Sequence, residues 1–216
     1  MSEDQLHNTA EGDVGGTEAP PSGPEAVALN GTKEGLDVRG LFPEVDLIAD
    51  EQLRNAVVAV WEELWVQSAY IRLADVPTST RIPYPQVKHC QGIVKGALAI
   101  AEVWESVHGV VLDRDVLVAG ALLMDVSKLV ETEPGLDQHP VASAIGRALP
   151  HAVYGAHTAL NHGVPLSVAH IITAHSPNGG KTPGSAEAHL LDWVDQADIS
   201  GAGYDIWARR VLHYQP

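Results

Sequence analysis

Apolar residues recur at spacings of three and four along most of this chain, and the alternation that marks a half-buried strand is nearly absent. From about Asp46 to Gln67 the set Val57, Val60, Trp61, Leu64 and Trp65 predicts a helix. Residues 68–85 contain Pro77, Pro83 and Pro85 among several hydroxyls and read as a long ordered loop. Ile93, Ala97, Ile100, Ala101 and Trp104 predict a second helix over roughly Gln86–His108. A third, from Asp113 or Arg114 to Leu129, carries the apolar run Val116–Met124 and is expected at the centre of the core. A helix or helix pair should follow from about Pro140 to Asn161, broken at Pro150, because proline is tolerated in a first turn and poorly in an interior. Another opens at Pro165 and stops at Pro177. Residues 176–185, rich in Gly and Pro, read as a flexible loop; a helix then continues to about Ile199, and a short closing helix is expected around Tyr204–Leu212. These elements describe one all-α domain.

Residues 1–42 fit no such pattern. They carry Gly12, Gly15, Gly16, Pro20, Pro21, Gly23 and Pro24 among scattered acids, with no period that could bury a face. A disordered or loosely packed arm is expected over 1–42 and a single helical domain over 43–216. The apolar fraction, 45%, suits a globular protein of this length. No eighteen-residue apolar run is present, so no membrane span is expected. The start Met-Ser-Glu-Asp has neither the basic nor the apolar region of a secretory leader, and Cys90 has no second cysteine to pair with, so a cytoplasmic protein is expected. A formal charge of -15, from 28 acidic and 13 basic residues, would repel a phosphate backbone and argues against nucleic acid as a partner. A small-molecule substrate remains compatible, since a metal ion reverses a local field.

Five polar residues stand where apolar side chains are expected. His89 shares a helical side with Ile93 and Ile100, and Asp125 closes the segment Leu122-Leu123-Met124. His175 follows Val168, Ile171 and Ile172, and Asp198 follows Leu191 and Val194 at seven and four residues. His151 comes directly after Pro150. An unpaired carboxylate buried at Asp125 would cost roughly 5 kcal/mol or more, so something must compensate it. A divalent cation does so for two acids and several imidazoles at once. Each residue also has a plainer reading. Asp125 could pair with Lys128 three residues on, His175 could cap its own helix, and Asp195 rivals Asp198 from a neighbouring stripe. Tyr84, Trp104, Tyr154 and Trp193 are candidate pocket aromatics, and Cys90 reads as packing.

The order of these residues resembles the HD superfamily of metal-dependent phosphohydrolases and its di-iron oxygenase relatives. The likeness covers about residues 85–205 and rests on His89 in Val-Lys-His-Cys, on Ala121-Leu-Leu-Met-Asp125-Val-Ser-Lys128, on His151 in Pro-His-Ala-Val-Tyr-Gly-Ala, on His175 in Ile-Ile-Thr-Ala-His-Ser, and on Asp198 in Asp-Gln-Ala-Asp-Ile. It departs at Met124, where the family's doublet has histidine; a thioether is a weak substitute for imidazole on zinc, manganese or iron. The resemblance implies an HD-domain-like helical bundle binding one or two divalent ions (Mn, Fe or Zn) through His89, Asp125, His151, His175 and Asp198. One set, Asp125, His151 and His175, is complete; the other, His89, Asp125 and Asp198, lacks a ligand, for which His157 or His170 could be recruited. Asp125, Lys128 and Asp198 are the expected catalytic residues, with Asp195 an alternative for holding the attacking water. A hydrolase of a small, phosphorylated metabolite is the leading expectation, in a chain that could form a homodimer. The alternatives are a non-haem iron oxygenase cleaving a C–C or C–P bond, a hydratase or lyase of a small polar substrate, and a non-catalytic, metal-stabilised regulatory domain.

Overall fold

The structure, a computed structural model, describes residues 31–80, 84–137 and 139–204. Packing begins before Pro43. A single turn, α1 (Val38–Leu41), is capped by the Asp37 carboxylate and buries Val38. Phe42 is fully buried against Trp61, their ring centroids 4.8 Å apart. Even residues 33–34 are fastened, since the Trp65 indole donates to the Glu34 carbonyl (2.9 Å) and Lys33 Nζ lies 4.4 Å over the Trp65 ring. Residues 1–30 lie outside the described residues, as does nearly all of the expected helix at Tyr204–Leu212.

The long helices follow the periodicity of the sequence. Asp50 caps α2 (Glu51–Gln67) by accepting from Gln52 N and Leu53 N, and the helix buries Val57, Val60, Trp61 and Leu64. Asp115 accepts from Ala49 N and Asp50 N, at 2.8 Å each, and joins the start of α2 to the central helix. After α2 come the loop 68–85 and α3 (Gln86–His108), which ends on Gly109 at φ 66°, a left-handed cap. The next helix, α4 (Arg114–Leu123), is buried from Val116 to its end and packs against α2, α3 and two later helices. A helix apolar all round belongs at the centre of the fold. Trp61 Nε1 donates to the Leu122 carbonyl (2.9 Å), pinning α2 to the last turn of α4.

The expected continuation of α4 to Leu129 is interrupted. The helix stops at Leu123, a turn covers residues 124–127, and the short α5 (Lys128–Glu131) follows. A small antiparallel hairpin comes next, β1 (Thr132–Pro134) with β2 (Pro140–Ala142), pairing Thr132 with Ala142 and Pro134 with Pro140. Here the expected helix from Pro140 is replaced, because residues 140–142 pair as a strand before α6 (Ala144–Ala148) begins. Pro150 separates α6 from α7 (His151–Asn161) as expected. The bundle closes with α8 (Leu166–Ala174) and α9 (Ala186–Ala202). The fold is an all-α helical bundle with one hairpin at its rim.

Gly120 sets how closely α4 meets its neighbours. A Cβ there would stand 2.7 Å from Ile171 Cδ1 on α8 and 3.1 Å from Leu191 Cδ1 on α9. Gly120→Val is therefore expected to overpack the core and lower stability by about 1–3 kcal/mol, read from urea unfolding monitored by circular dichroism.

Candidate metal centre

The turn after α4 places Asp125 at the end of the most buried helix, its side chain 5% exposed. Three imidazoles reach it from three other elements. Asp125 Oδ2 lies 3.1 Å from His89 Nε2 on α3. Its other oxygen, Oδ1, lies 3.3 Å from His151 Nε2 at the start of α7 and 3.4 Å from His175 Nε2, just past α8. Asp195 on α9 brings Oδ1 to 3.1 Å from His89 Nε2. Two groups of potential ligands result, Asp125–His151–His175 and His89–Asp125–Asp195, each with ligand atoms within 4.8 Å of one another. They share Asp125 and use different oxygens of it.

Every one of these imidazoles is held at its far nitrogen. His89 Nδ1 bonds Asp198 Oδ2 at 2.7 Å, and His175 Nδ1 donates to the Ile172 carbonyl at 2.8 Å. His151 Nδ1 faces Glu131 Oε1 at 3.5 Å. Acceptors behind the rings place hydrogen on Nδ1 and turn Nε2 inward, the orientation that second-layer partners impose on metal-binding histidines. His151 Nε2 and His175 Nε2 are then only 3.1 Å apart. Two lone pairs do not face each other at that distance, so a proton or a cation belongs between them. Ligands about 2.1 Å from one ion and at right angles to each other lie about 3 Å apart, so the donor set fits a divalent metal.

The electrostatics point the same way. Burial works against ionisation of Asp125, but the imidazoles of His175, His151 and His89 hold its carboxyl well below the usual carboxylate range. Burial lowers the His89 pKa, and Asp125, Asp195 and Asp198 together overcome it and raise the group to about 11. Glu131 is opposed by burial yet lowered to about 2 by His151 and Lys128. Without a cation, a proton on His89 offsets the charge of the carboxylates about it.

Several expected residues take different parts. Asp198, read from the sequence as a ligand, meets the rear nitrogen of His89, while Asp195 faces the shared centre; three residues apart on α9, they clasp one ring from both sides. Gly92 permits this, since a Cβ there would overlap the Asp198 carboxylate. Lys128 pairs with Glu131 (2.8 Å) and not with Asp125. Met124 is fully buried and is absent from the lining of the cavity over the cluster. His157 bonds Asn161, and His170 accepts from Gly184 N, so neither joins the cluster. His175 does cap α8, through its bond to Ile172, and serves the cluster with its other nitrogen. Cys90 is packing: it is fully buried, and burial pushes its thiol up. Tyr154 donates to Gln67, and Trp104 and Trp193 gather about His189, away from the centre.

Glu131 and Gln86 went unnoticed in the sequence. Glu131 lies three residues past Lys128, a spacing that signals an ion pair but not its second contact with His151. Gln86, one turn before His89, is fully buried and donates from Nε2 to the Asp125 carbonyl and to Cys90 Sγ, both at 3.2 Å. The cluster opens into a cavity of about 180 Å³ that Thr78, Ser79, Lys128, Ser176 and Gln196 also line.

An all-α bundle carrying two linked, largely buried His/Asp clusters is consistent with an HD-like metal-dependent fold. No protein-family model matches the chain, and no solved structure matches it. The chain is 28% identical over 172 residues to the dihydroneopterin 2',3'-cyclic phosphate phosphodiesterase of Methanocaldococcus jannaschii, a match covering 73% of this chain and 67% of that protein. Clusters and likeness together support a metal-dependent enzymatic role. Among the described residues no helix is long and apolar enough to cross a membrane.

Metal uptake by the His89 group should release protons. With its pKa at about 11, His89 is an imidazolium at pH 7, and a metal can bind Nε2 only after the proton leaves. Affinity is therefore expected to rise with pH through neutrality, by about tenfold per pH unit for each proton released. Isothermal titration in buffers of different ionisation enthalpy reads that release directly; a pH-independent affinity would contradict it.

Proposed function

We infer that this chain is a metal-dependent hydrolase that opens a phosphoester of a small metabolite, with cyclic phosphodiesters the leading substrate class. The observation that carries this reading is the convergence of three rear-anchored imidazoles on one buried, ionised carboxylate. The ester class is supported by the name of the archaeal relative. In this reading Asp125, His151 and His175 would hold one ion, and His89, Asp125 and Asp195 would hold a second. Asp198 and Glu131 position His89 and His151 and touch no ion.

A divalent ion bound there supplies Lewis-acid polarisation of the phosphoryl oxygen and a lowered pKa for the attacking water. The chain supplies the rest. Lys128 Nζ, its side chain 12% exposed, stands at the cavity wall and neutralises a non-bridging phosphate oxygen. The hydroxyl of Ser176 at the same wall orients a remaining oxygen. Asp195 lines the cavity with 13% of its side chain exposed and takes the proton of the water as the new P–O bond forms. One ester P–O bond breaks, and the proton passes to the departing alkoxide. A cavity of about 180 Å³ admits a phosphoryl group with little attached, which suits a metabolite and excludes a folded polymer.

Metal analysis of protein purified without chelator, followed by hydrolysis of cyclic and linear phosphoesters, tests the assignment. Asp125→Ala is expected to lose bound metal and activity together, and native activity in that variant would refute the reading. Glu131→Gln should weaken metal affinity by about 10–100-fold, as measured by competition with a chromogenic chelator. Oxygen consumption with the same substrates would replace hydrolysis by oxygenation.

A further inference from the structure

Three side chains stand in a row that joins the cavity to one half of the metal centre. Lys128 lines the cavity and pairs with Glu131 Oε2 at 2.8 Å. Glu131 lies behind that wall, with its other oxygen, Oε1, 3.5 Å from His151 Nδ1. His151 in turn points Nε2 at Asp125 Oδ1, 3.3 Å away. The row begins where an anion would bind and ends where a metal would.

The two contacts of Glu131 are unequal. At 2.8 Å the pair with Lys128 is a charge-assisted hydrogen bond, whereas 3.5 Å is beyond one. Glu131 therefore leans toward Lys128 and holds His151 loosely. The main chain on both sides is fixed. The Ser127 hydroxyl donates to the His151 carbonyl at 2.6 Å, and Ser143 N donates to the Glu131 carbonyl at 2.9 Å. What is left to shift is the carboxylate itself, by rotation within its side chain.

His151 feels both members of the pair. Burial opposes a proton on its ring, Asp125 and Glu131 favour one, and the charge of Lys128 opposes it again. A metal ion on Nε2 is a cation in place of that proton and meets the same influences. An anion on Lys128 offsets the opposing charge and releases Glu131 to close on Nδ1. A full bond there raises the basicity of Nε2.

We propose that Lys128, Glu131 and His151 couple anion binding to metal binding: phosphate on Lys128 turns Glu131 toward His151 and tightens the grip of Asp125, His151 and His175 on their ion. By linkage, the ion tightens phosphate by the same factor. The resting chain grips this ion weakly, and an ester completes the site as it enters, a statement that rests on the hydrolase reading above. Departure of the product relaxes the grip again.

Manganese affinity of the full chain, read from the electron paramagnetic resonance signal of the free ion with and without inorganic phosphate, tests the row. Without phosphate, Lys128→Met should raise the affinity about threefold or more, because Glu131 loses its nearer partner. The same change in a Glu131→Gln background should gain much less. An equal gain in both backgrounds would reduce Lys128 to a plain repulsive charge and overturn the row. Saturating phosphate should raise the affinity of the wild type by a factor about tenfold larger than that of Glu131→Gln. A merely structural Glu131 would lose affinity equally with and without phosphate, and that result would also refute the coupling. So would a loss of affinity in Lys128→Met, whether or not Glu131→Gln folds. Ester hydrolysis by a wild type without the coupling would leave the hydrolase reading standing and remove the row. Coupling with no hydrolysis of any phosphoester would keep the row and sink the hydrolase reading, and a wild type that takes up no divalent ion would sink both.

Discussion

A carboxylate inside an apolar core is the constraint from which the rest of this structure follows. Asp125 follows the most deeply buried helix of the bundle, where burying a bare charge costs several kcal/mol. The chain answers by bringing α3, α7 and the end of α8 to one point, each contributing an imidazole at 3.1–3.4 Å. The arrangement of the bundle and the chemistry of its centre are therefore one problem. α4 packs against α3, α8 and α9, and the same contacts deliver the ligand groups.

The two halves of the centre are balanced differently. On one side two histidines face a single carboxylate oxygen; on the other a single histidine lies among three carboxylates. The first half is net positive once it holds a divalent ion beside neutral imidazoles. The second is strongly anionic without one and holds a proton on His89 instead. Asp125 joins them, so filling either half changes the charge that the other sees.

Much of this was legible in the sequence because burial leaves a periodic trace. α2, α3, α7, α8 and α9 follow from the spacing of Val, Leu, Ile and Trp, and Pro150 marks a real break. His89, Asp125, His151 and His175 stood out as polar residues on apolar faces, and the structure brings them together. Local chemistry hid the rest. The stop at Leu123 carries no proline or glycine, and it is enforced by long-range contacts such as the bond from Trp61 to Leu122. The strand at 140–142 is too short for any periodicity to show. Asp195 and Asp198 lie on adjacent stripes of one helix, and which of them faces the centre depends on the rotation of α9 against Gly92, a tertiary fact. Glu131 is an ordinary acid in sequence and acquires its second partner only through the turn that carries α5 beneath His151.

The anchors behind the three imidazoles differ in one respect with an evolutionary consequence. His89 and His151 lean on side chains, Asp198 and Glu131, whereas His175 leans on the main-chain carbonyl of Ile172. Single-codon changes can retune the first two, altering the basicity of one ring and leaving the backbone alone. No codon change deletes a carbonyl. Descendants of this chain can therefore drift in how strongly they grip metal at His89 and His151, while the orientation of His175 is inherited with the helix itself.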